Sequence, residues 1–518
     1  MLKNAFALFA ALLVAAPAAA AEPSALYREH CASCHGALRT GAMGPALLAE
    51  SLSRQKPAET LRAIRDGRLA TQMPGFGDRL SETDIEALAG WIRQPLHPAP
   101  DWREQDILAS RIVVASAAGL PHKPSWPGDP MNLFVVVEAG DHHVSLVDGD
   151  RFEVIHRFAS RFALHGGPKF TPDGRFVYFG SRDGWITKYD LWNLTVVAEV
   201  RAGLNMRNIA VSGDGRYVMA ANYLPHTLVL FDADLQLRRV YPASTLDGLT
   251  ASRVSAVYDA APRRSFVAAL KDIPELWEIS YDERAEPIHD GYVHDYRMGE
   301  AIATQGFLGV RRTVLDEPLD DFFFDASYRH ALGATRPRGD GVPSAQVVNL
   351  DIRRRIAELP IAGMPHLGSG ISFAWRGTTV LASPNLKDGA VDVIDMANWK
   401  KVATIPTPGP GFFMRSHENT KLAWTDSMMS PQHKDTMTLI DKATLQPVAS
   451  IREPGRTLAH VEFTRDGRYA LLSVWEDDGA LIVVDTDTLT EVKRLPMRRP
   501  VGKYNVWNKI TRSEGTSH

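Results

Sequence analysis

The sequence predicts a mainly β chain, an eight-bladed β-propeller preceded by a small all-α domain. Three observations predict it. A strand-turn-strand unit recurs through most of the chain with a period near 40 residues. A helical segment with its own cysteine motif precedes the repeats, and the proline-rich stretch His97-Pro98-Ala99-Pro100-Asp101 separates the two.

Composition fits a folded chain. Of the 518 residues 23% are charged and 45% apolar, close to the globular average. Lys plus Arg (58) against Asp plus Glu (61) leaves a net charge of -3, with no basic excess to neutralise a phosphate backbone. Nucleic acid is therefore not an expected partner. Two cysteines cannot build a disulfide framework, and these two lie three positions apart.

In chain order, residues 1–21 combine Lys3, an apolar run from Ala5 to Ala16 and small residues after Pro17. This is the pattern of a secretory signal peptide cleaved near Ala21, and its apolar run is short for a membrane span. An uncleaved anchor is the alternative. The expected location of the mature chain is the periplasm.

Residues 23–98 carry Cys31-Ala32-Ser33-Cys34-His35, the C-x-x-C-H pattern of covalent haem c attachment. Two thiols add to the porphyrin vinyl groups and the adjacent imidazole ligates iron. A redox dithiol would need a surrounding βαβ unit, and a zinc site would need two more nearby ligands. The sixth iron ligand expected is Met73 in Gln72-Met73-Pro74-Gly75-Phe76, with Met43 as competitor. Met73 is favoured because it precedes a capped helix, Ser81 to Ile92. The whole segment resembles a class I cytochrome c, and a His/Met haem carries electrons.

Residues 99–130 are expected to be an extended linker, and 131–518 the propeller. Asp173-Gly174-Arg175-Phe176-Val177-Tyr178 returns as Asp214-Gly215-Arg216-Tyr217-Val218-Met219 and as Asp466-Gly467-Arg468-Tyr469-Ala470-Leu471. Each unit is a β run, a tight turn, a second run ending in Asp, and a third strand. Eight second-run signatures can be counted, beginning with Val144–Asp148, Ile186–Asp190 and Leu228–Asp232 and ending with Leu481–Asp485. Seven blades with one irregular insertion is the alternative. Either ring has a central funnel able to hold a flat cofactor.

Of 17 histidines, four share one address, the turn entering a blade: His165, His366, His417 and His460. A capping or hydrogen-bonded turn histidine is the ordinary explanation of any one of them; recurrence is what singles out the set. Arg161, Arg207, Arg253 and Arg415 lie at related addresses and suit forked hydrogen bonds to carboxylates, with Arg207 favoured.

A C-x-x-C-H domain joined to an eight-bladed propeller with a turn histidine resembles the cytochrome cd1 family, which includes nitrite reductases and relatives in haem d1 biosynthesis. The likeness rests on His165, Asp190-Leu191-Trp192, Gly203 to Arg207, Tyr223, Pro365-His366 and Gly502 to Asn508. It implies that His165 is the proximal iron ligand of a non-covalent haem d1. The nitrite reductases of the family place two histidines over the distal face. His366 matches one, but the stretch Pro318 to Asp325 offers Asp320 where the other belongs, and a carboxylate is a poor proton donor near neutral pH.

The resemblance is nearer to the haem-c-bearing biosynthetic branch. The implied activity is an oxidoreductase reaction, oxidation of a propionate of dihydro-haem d1 to an acrylate with electrons passing to the haem on Cys31 and Cys34. In that reading His366 and His417 are distal ligand or proton acceptor, with their roles unassigned, and Tyr223, Arg207 and Arg415 orient carboxylates. Implied partners are the substrate, an electron-accepting periplasmic cytochrome, and a cytochrome cd1 nitrite reductase that receives the product during denitrification. Alternatives are a nitrite reductase with an altered distal face, or a non-catalytic haem d1 carrier.

Overall fold

The computed structural model describes residues 22–41, 44–52, 55–67, 73–98, 100–161, 164, 166–289, 303–335, 344–361, 365–512 and 514–515. The signal-peptide segment 1–21, Met43 and His165 lie outside the described residues.

The repeated motif folds as its chemistry dictates. In each D-G-R unit a hydroxyl two residues before the Asp, on Thr171, Ser212 or Thr464, accepts a backbone N–H from the next strand, at 3.0, 3.0 and 3.1 Å. Gly174, Gly215 and Gly467 take φ of +69, +71 and +75°, so this turn requires a residue without a β-carbon. The strand-final Asp works similarly. Asp190 Oδ1 accepts the N–H groups of Trp192 and Asn193 at 2.9 and 3.1 Å, closing an Asx turn. Asp148, Asp441 and Asp485 repeat the arrangement.

These turns join eight antiparallel sheets, which settles the blade count at eight. The counted signature is the third strand of four. In the second to eighth blades the innermost strand comes first in the chain, and it is as short as Lys169–Phe170 or Met414–Arg415. The ring is closed by the chain's last strand, Pro500–Asn505, which pairs antiparallel with Leu133–Glu138 as the innermost strand of the first blade. Apolar side chains fill the spaces between blades. Leu471, Leu481, Phe134 and Val136, for example, seal the last blade against the first.

The small domain contains helices Pro23–His30, Ala32–His35, Ala49–Leu52, Pro57–Asp66 and Glu82–Ile92. Ser81 caps the last as expected, its Oγ accepting Asp84 N–H at 3.1 Å. The first and last helices pack through Tyr27 and Trp91, ring centroids 5.2 Å apart.

The segment 99–130 differs from an extended linker. It forms helix Glu104–Ser110 and then strand Ile112–Val113, a fifth strand on the outer edge of the second blade. Trp102 Nε1 donates to Arg201 O at 2.9 Å, and Ile107 is buried among Tyr178, Val197 and Val229. Apolar burial overrides the proline-rich composition, so the segment is a strap. The small domain also touches the ring directly. Arg201 Nη2 donates to Thr40 O at 3.1 Å and Asn205 Nδ2 to Ser51 Oγ at 3.2 Å.

Candidate functional site

The small domain builds its site from neighbouring residues. Cys31, buried, and Cys34, partly exposed, lie one helical turn apart and are not joined to each other. His35 Nδ1–H donates to Pro45 O at 2.8 Å, which leaves Nε2 available, and burial holds the imidazole below its ordinary 6.5. An N–H committed to a backbone carbonyl is how proteins orient a metal-ligating histidine. Gly44 lies against the ring, where a β-carbon would come 2.7 Å from Cε1. Met73 packs partly buried in the same apolar cluster as Cys31 and Phe76. These residues fit a covalently attached haem with His35 as one axial ligand.

The second site is a cavity of about 410 Å³ in the mouth of the ring. All eight blades contribute to its lining. Gly166-Gly167-Pro168, Arg207, Tyr258, Asp321, His366, Phe412, Phe413, Arg415, Trp475 and Tyr504 form most of the wall. Its size falls within the range of small-molecule sites. His165 itself is not described, but Leu164 and Gly166 on either side of it line the cavity.

His366 stands on the wall with Nδ1–H donating to Phe412 O at 3.0 Å, its ring 4.0 Å from that of Phe412. Burial holds this imidazole below 6.5, so it is neutral with Nε2 available as ligand or proton acceptor. Arg207 Nε donates to Ser255 O at 3.0 Å, and its Nη2 lies 3.7 Å from Asp321. Arg415 is 3% exposed; Nη1 donates to Met414 O at 2.7 Å, but Nε has no hydrogen-bond partner among the described residues. A buried guanidinium with an idle donor at a cavity is suited to an anion.

The acidic stretch needs a correction. Asp321, not Asp320, faces the cavity, and Asp320 turns away to accept a hydrogen bond from Lys271 Nζ. The cause is a register shift between Leu319 and Asp321, which interrupts the alternation of faces along the strand. Asp321 Oδ1 accepts the Tyr258 hydroxyl at 2.8 Å.

The recurring turn histidines separate in the same way. His417 is buried at the far end of the short strand Met414–Arg415, against Gly467 of the D-G turn. Its Nδ1 accepts Asn419 N–H at 3.1 Å, and it does not line the cavity. His460 lies directly behind the wall, 4.6 Å from the Phe413 ring and 5.4 Å from that of Tyr504. Both its ring nitrogens lack a hydrogen-bond partner among the described residues. Burial first, then Lys503, Arg415 and Lys509, hold it well below 6.5.

Tyr223 is outside the cavity lining, beside Lys271 at 5.2 Å and Arg253 at 5.8 Å. Burial acts to raise its phenol, but Lys271, Arg207 and Arg182 outweigh burial and leave it below its ordinary value. Arg161 and Arg253 are committed to Glu199 and Asp272.

Tyr504 carried no assigned role in the sequence. Its ring is flanked closely by two glycines, with a β-carbon at Gly167 3.1 Å from Cε1 and one at Gly502 2.8 Å from the hydroxyl. Burial pushes its phenol up to about 12. The Gly502-Lys503-Tyr504 triplet was visible, but nothing in it revealed that the chain's last strand enters the ring.

The profile of the cytochrome D1 heme domain family matches residues 128–298 and 302–509. The profile described as cytochrome C oxidase, cbb3-type, subunit III matches residues 18–92. The dihydro-heme d1 dehydrogenase of Pseudomonas aeruginosa is 53% identical over 511 residues, covering 98% of each chain. The nitrite reductase of Stutzerimonas stutzeri is 26% identical, covering 94% of this chain and 92% of that one. A solved structure described as dihydro-heme d1 dehydrogenase NirN in complex with DHE superposes with a TM-score of 0.83 at 53% identity, over 94% of this chain and 100% of that one.

Proposed function

The chain belongs to the cytochrome D1 heme domain family, and on that premise we propose that it is a dihydro-haem d1 dehydrogenase that converts a propionate of its substrate to an acrylate. One observation carries the reading: 53% identity to such a dehydrogenase along 98% of the chain, spanning both the C-x-x-C-H domain and the cavity ring.

The reaction breaks two C–H bonds on adjacent carbons and releases two protons and two electrons. Haem c, bound through Cys31, Cys34 and His35, supplies a one-electron acceptor. Two electrons per turnover then require onward transfer to an external acceptor, for which a periplasmic electron-carrying cytochrome is suited. The cavity does the rest. Arg207 and Arg415 bind and orient the substrate's carboxylates, with Arg415 Nε, which has no partner among the described residues, supplying a donor. His165 and His366 are the candidate ligands of the substrate's iron, and the aromatic wall of Phe412, Phe413, Trp475 and Tyr504 excludes water. Proton acceptance falls to His366 or to the pair Tyr504 and His460, in place of His417.

The carboxylate near His366 separates this reading from nitrite reduction. Asp321 is an acceptor engaged by Tyr258 and near Arg207, unsuited to protonating nitrite. We place the mature chain in the periplasm after removal of 1–21, with a cytochrome cd1 nitrite reductase as recipient of the product. Among the described residues no helix is long and apolar enough to cross a membrane.

Purified protein incubated with dihydro-haem d1 and an oxidant is expected to show the spectrum change to haem d1, with no nitrite consumed from a reduced donor. Binding of dihydro-haem d1 without spectral conversion would replace the dehydrogenase by a carrier.

A further inference from the structure

His460 is held in a backbone conformation that its strand does not supply. Strand Leu458–Phe463 pairs with Tyr469–Val474, but the register shifts between Ala459 and Val461, leaving His460 out of the ladder with φ +48°. A side chain in this left-handed region costs on the order of 1 kcal/mol and persists where surrounding structure holds it. Such a bulge also frees the residue's own N–H and C=O.

Both freed groups are taken by buried titratable side chains. His460 N–H donates to Asp426 Oδ2 at 3.4 Å, and Lys503 Nζ donates to His460 O. Lys503 is wholly buried and also donates to Ser473 Oγ at 2.7 Å. Asp426, equally buried, accepts three further N–H groups: Phe412 at 2.8 Å, Phe413 at 3.3 Å and Met428 at 3.4 Å. Phe412 in turn offers the carbonyl that receives His366 Nδ1–H. One carboxylate therefore holds both the bulge that carries His460 and the loop that fixes the tautomer of His366.

We propose that Asp426 and Lys503 are positioning residues for the dehydrogenation, a clamp that sets His460 behind Tyr504 and, through Phe412, orients His366. This deepens the proposed function and rests on it. Neither residue lines the cavity, so each acts through the imidazoles.

The charged and titratable groups facing this cluster are Lys503 and Tyr504 on the closing strand, Lys509 on the C-terminal helix, Arg415 and Asp426 on the seventh blade, and Glu462 beside His460. Burial pushes the Asp426 carboxyl up to about 6. As pH falls through that value Asp426 takes a proton and loses part of its capacity to accept the four N–H groups, so the clamp loosens on the acid side.

The test uses Asp426→Asn and Lys503→Met in the full haem-c-bearing chain. Expected for both is a fall in kcat of about ten-fold or more with the spectrally measured Kd for dihydro-haem d1 within about three-fold. The acid limb of kcat near pH 6 is expected to flatten in Asp426→Asn. In the ferrous protein without substrate, the His460 ring-nitrogen resonances are expected to move in both variants. Unchanged kcat, pH profile and resonances would overturn the proposal, as would kcat and Kd deteriorating together. Should either variant not fold, Ser473→Ala withdraws Lys503's second anchor while keeping every charge, and the same readouts decide. Wild-type protein runs alongside: if it leaves dihydro-haem d1 unoxidised, the functional reading fails, and the resonances alone still judge the clamp.

Discussion

The two haem sites of this chain are built in opposite ways. The small domain concentrates Cys31, Cys34, His35 and the Pro45 carbonyl within fifteen consecutive residues, so helix geometry places the thiols and one hydrogen bond sets the imidazole. The ring cavity collects its wall from Val137 to Tyr504, and no two adjacent blades supply it alone. The local site depends on a motif. The dispersed one depends on register, on bulges and on the closing of the ring, so a sequence change there acts through strands far from the substrate.

Substitutions can break either half of this comparison. The largest effect is expected from Cys31→Ser with Cys34→Ser: covalent haem is lost and multiple-turnover oxidation stops, while dihydro-haem d1 still binds the ring. Haem staining after denaturing electrophoresis and a spectral binding titration check both parts; loss of binding as well would show that the two sites are not independent.

Within the cavity, Arg415→Met removes a buried donor whose Nε has no partner among the described residues. A charge-assisted hydrogen bond of this kind contributes about 2 kcal/mol, so the substrate Kd is expected to rise about thirty-fold, measured by the same titration. A Kd within about two-fold of wild type would place the carboxylates elsewhere. The smallest catalytic effect is expected from His417→Ala, because His417 packs under the D-G turn of the last blade and not at the cavity. It is expected to leave kcat within about two-fold and to lower thermal stability by about 1–3 kcal/mol through a lost buried contact. A large fall in kcat at unchanged Tm would return His417 to the chemistry.

Much of this was legible before the structure. The C-x-x-C-H run, the cap at Ser81, the D-G-R turns and the eight Asp-ended strands are local or periodic, and each followed from side-chain chemistry acting within a few residues. His366, Arg207 and Arg415 were brought to the cavity, His366 by a turn entering a blade and the two arginines by innermost strands. His417 was not, because a two-residue innermost strand carries the chain to the other end of the blade before His417 is reached. Tyr504 was missed because only the pairing of Pro500–Asn505 with Leu133–Glu138 brings it to the mouth.

The sequence by itself therefore determined the two-part architecture and pointed to eight blades and a covalent haem, since these are written in short-range spacing and in a repeat; the paired sheets then fixed the count. The tertiary structure alone decided which carboxylate and which of the described turn histidines reach the cavity. A β-strand presents alternate residues to opposite faces, so one register shift at Leu319–Asp321 exchanges Asp320 for Asp321, and one at Ala459–Val461 frees His460 for the grip of Asp426 and Lys503. Such shifts depend on contacts between residues distant in the chain, and no local pattern announces them.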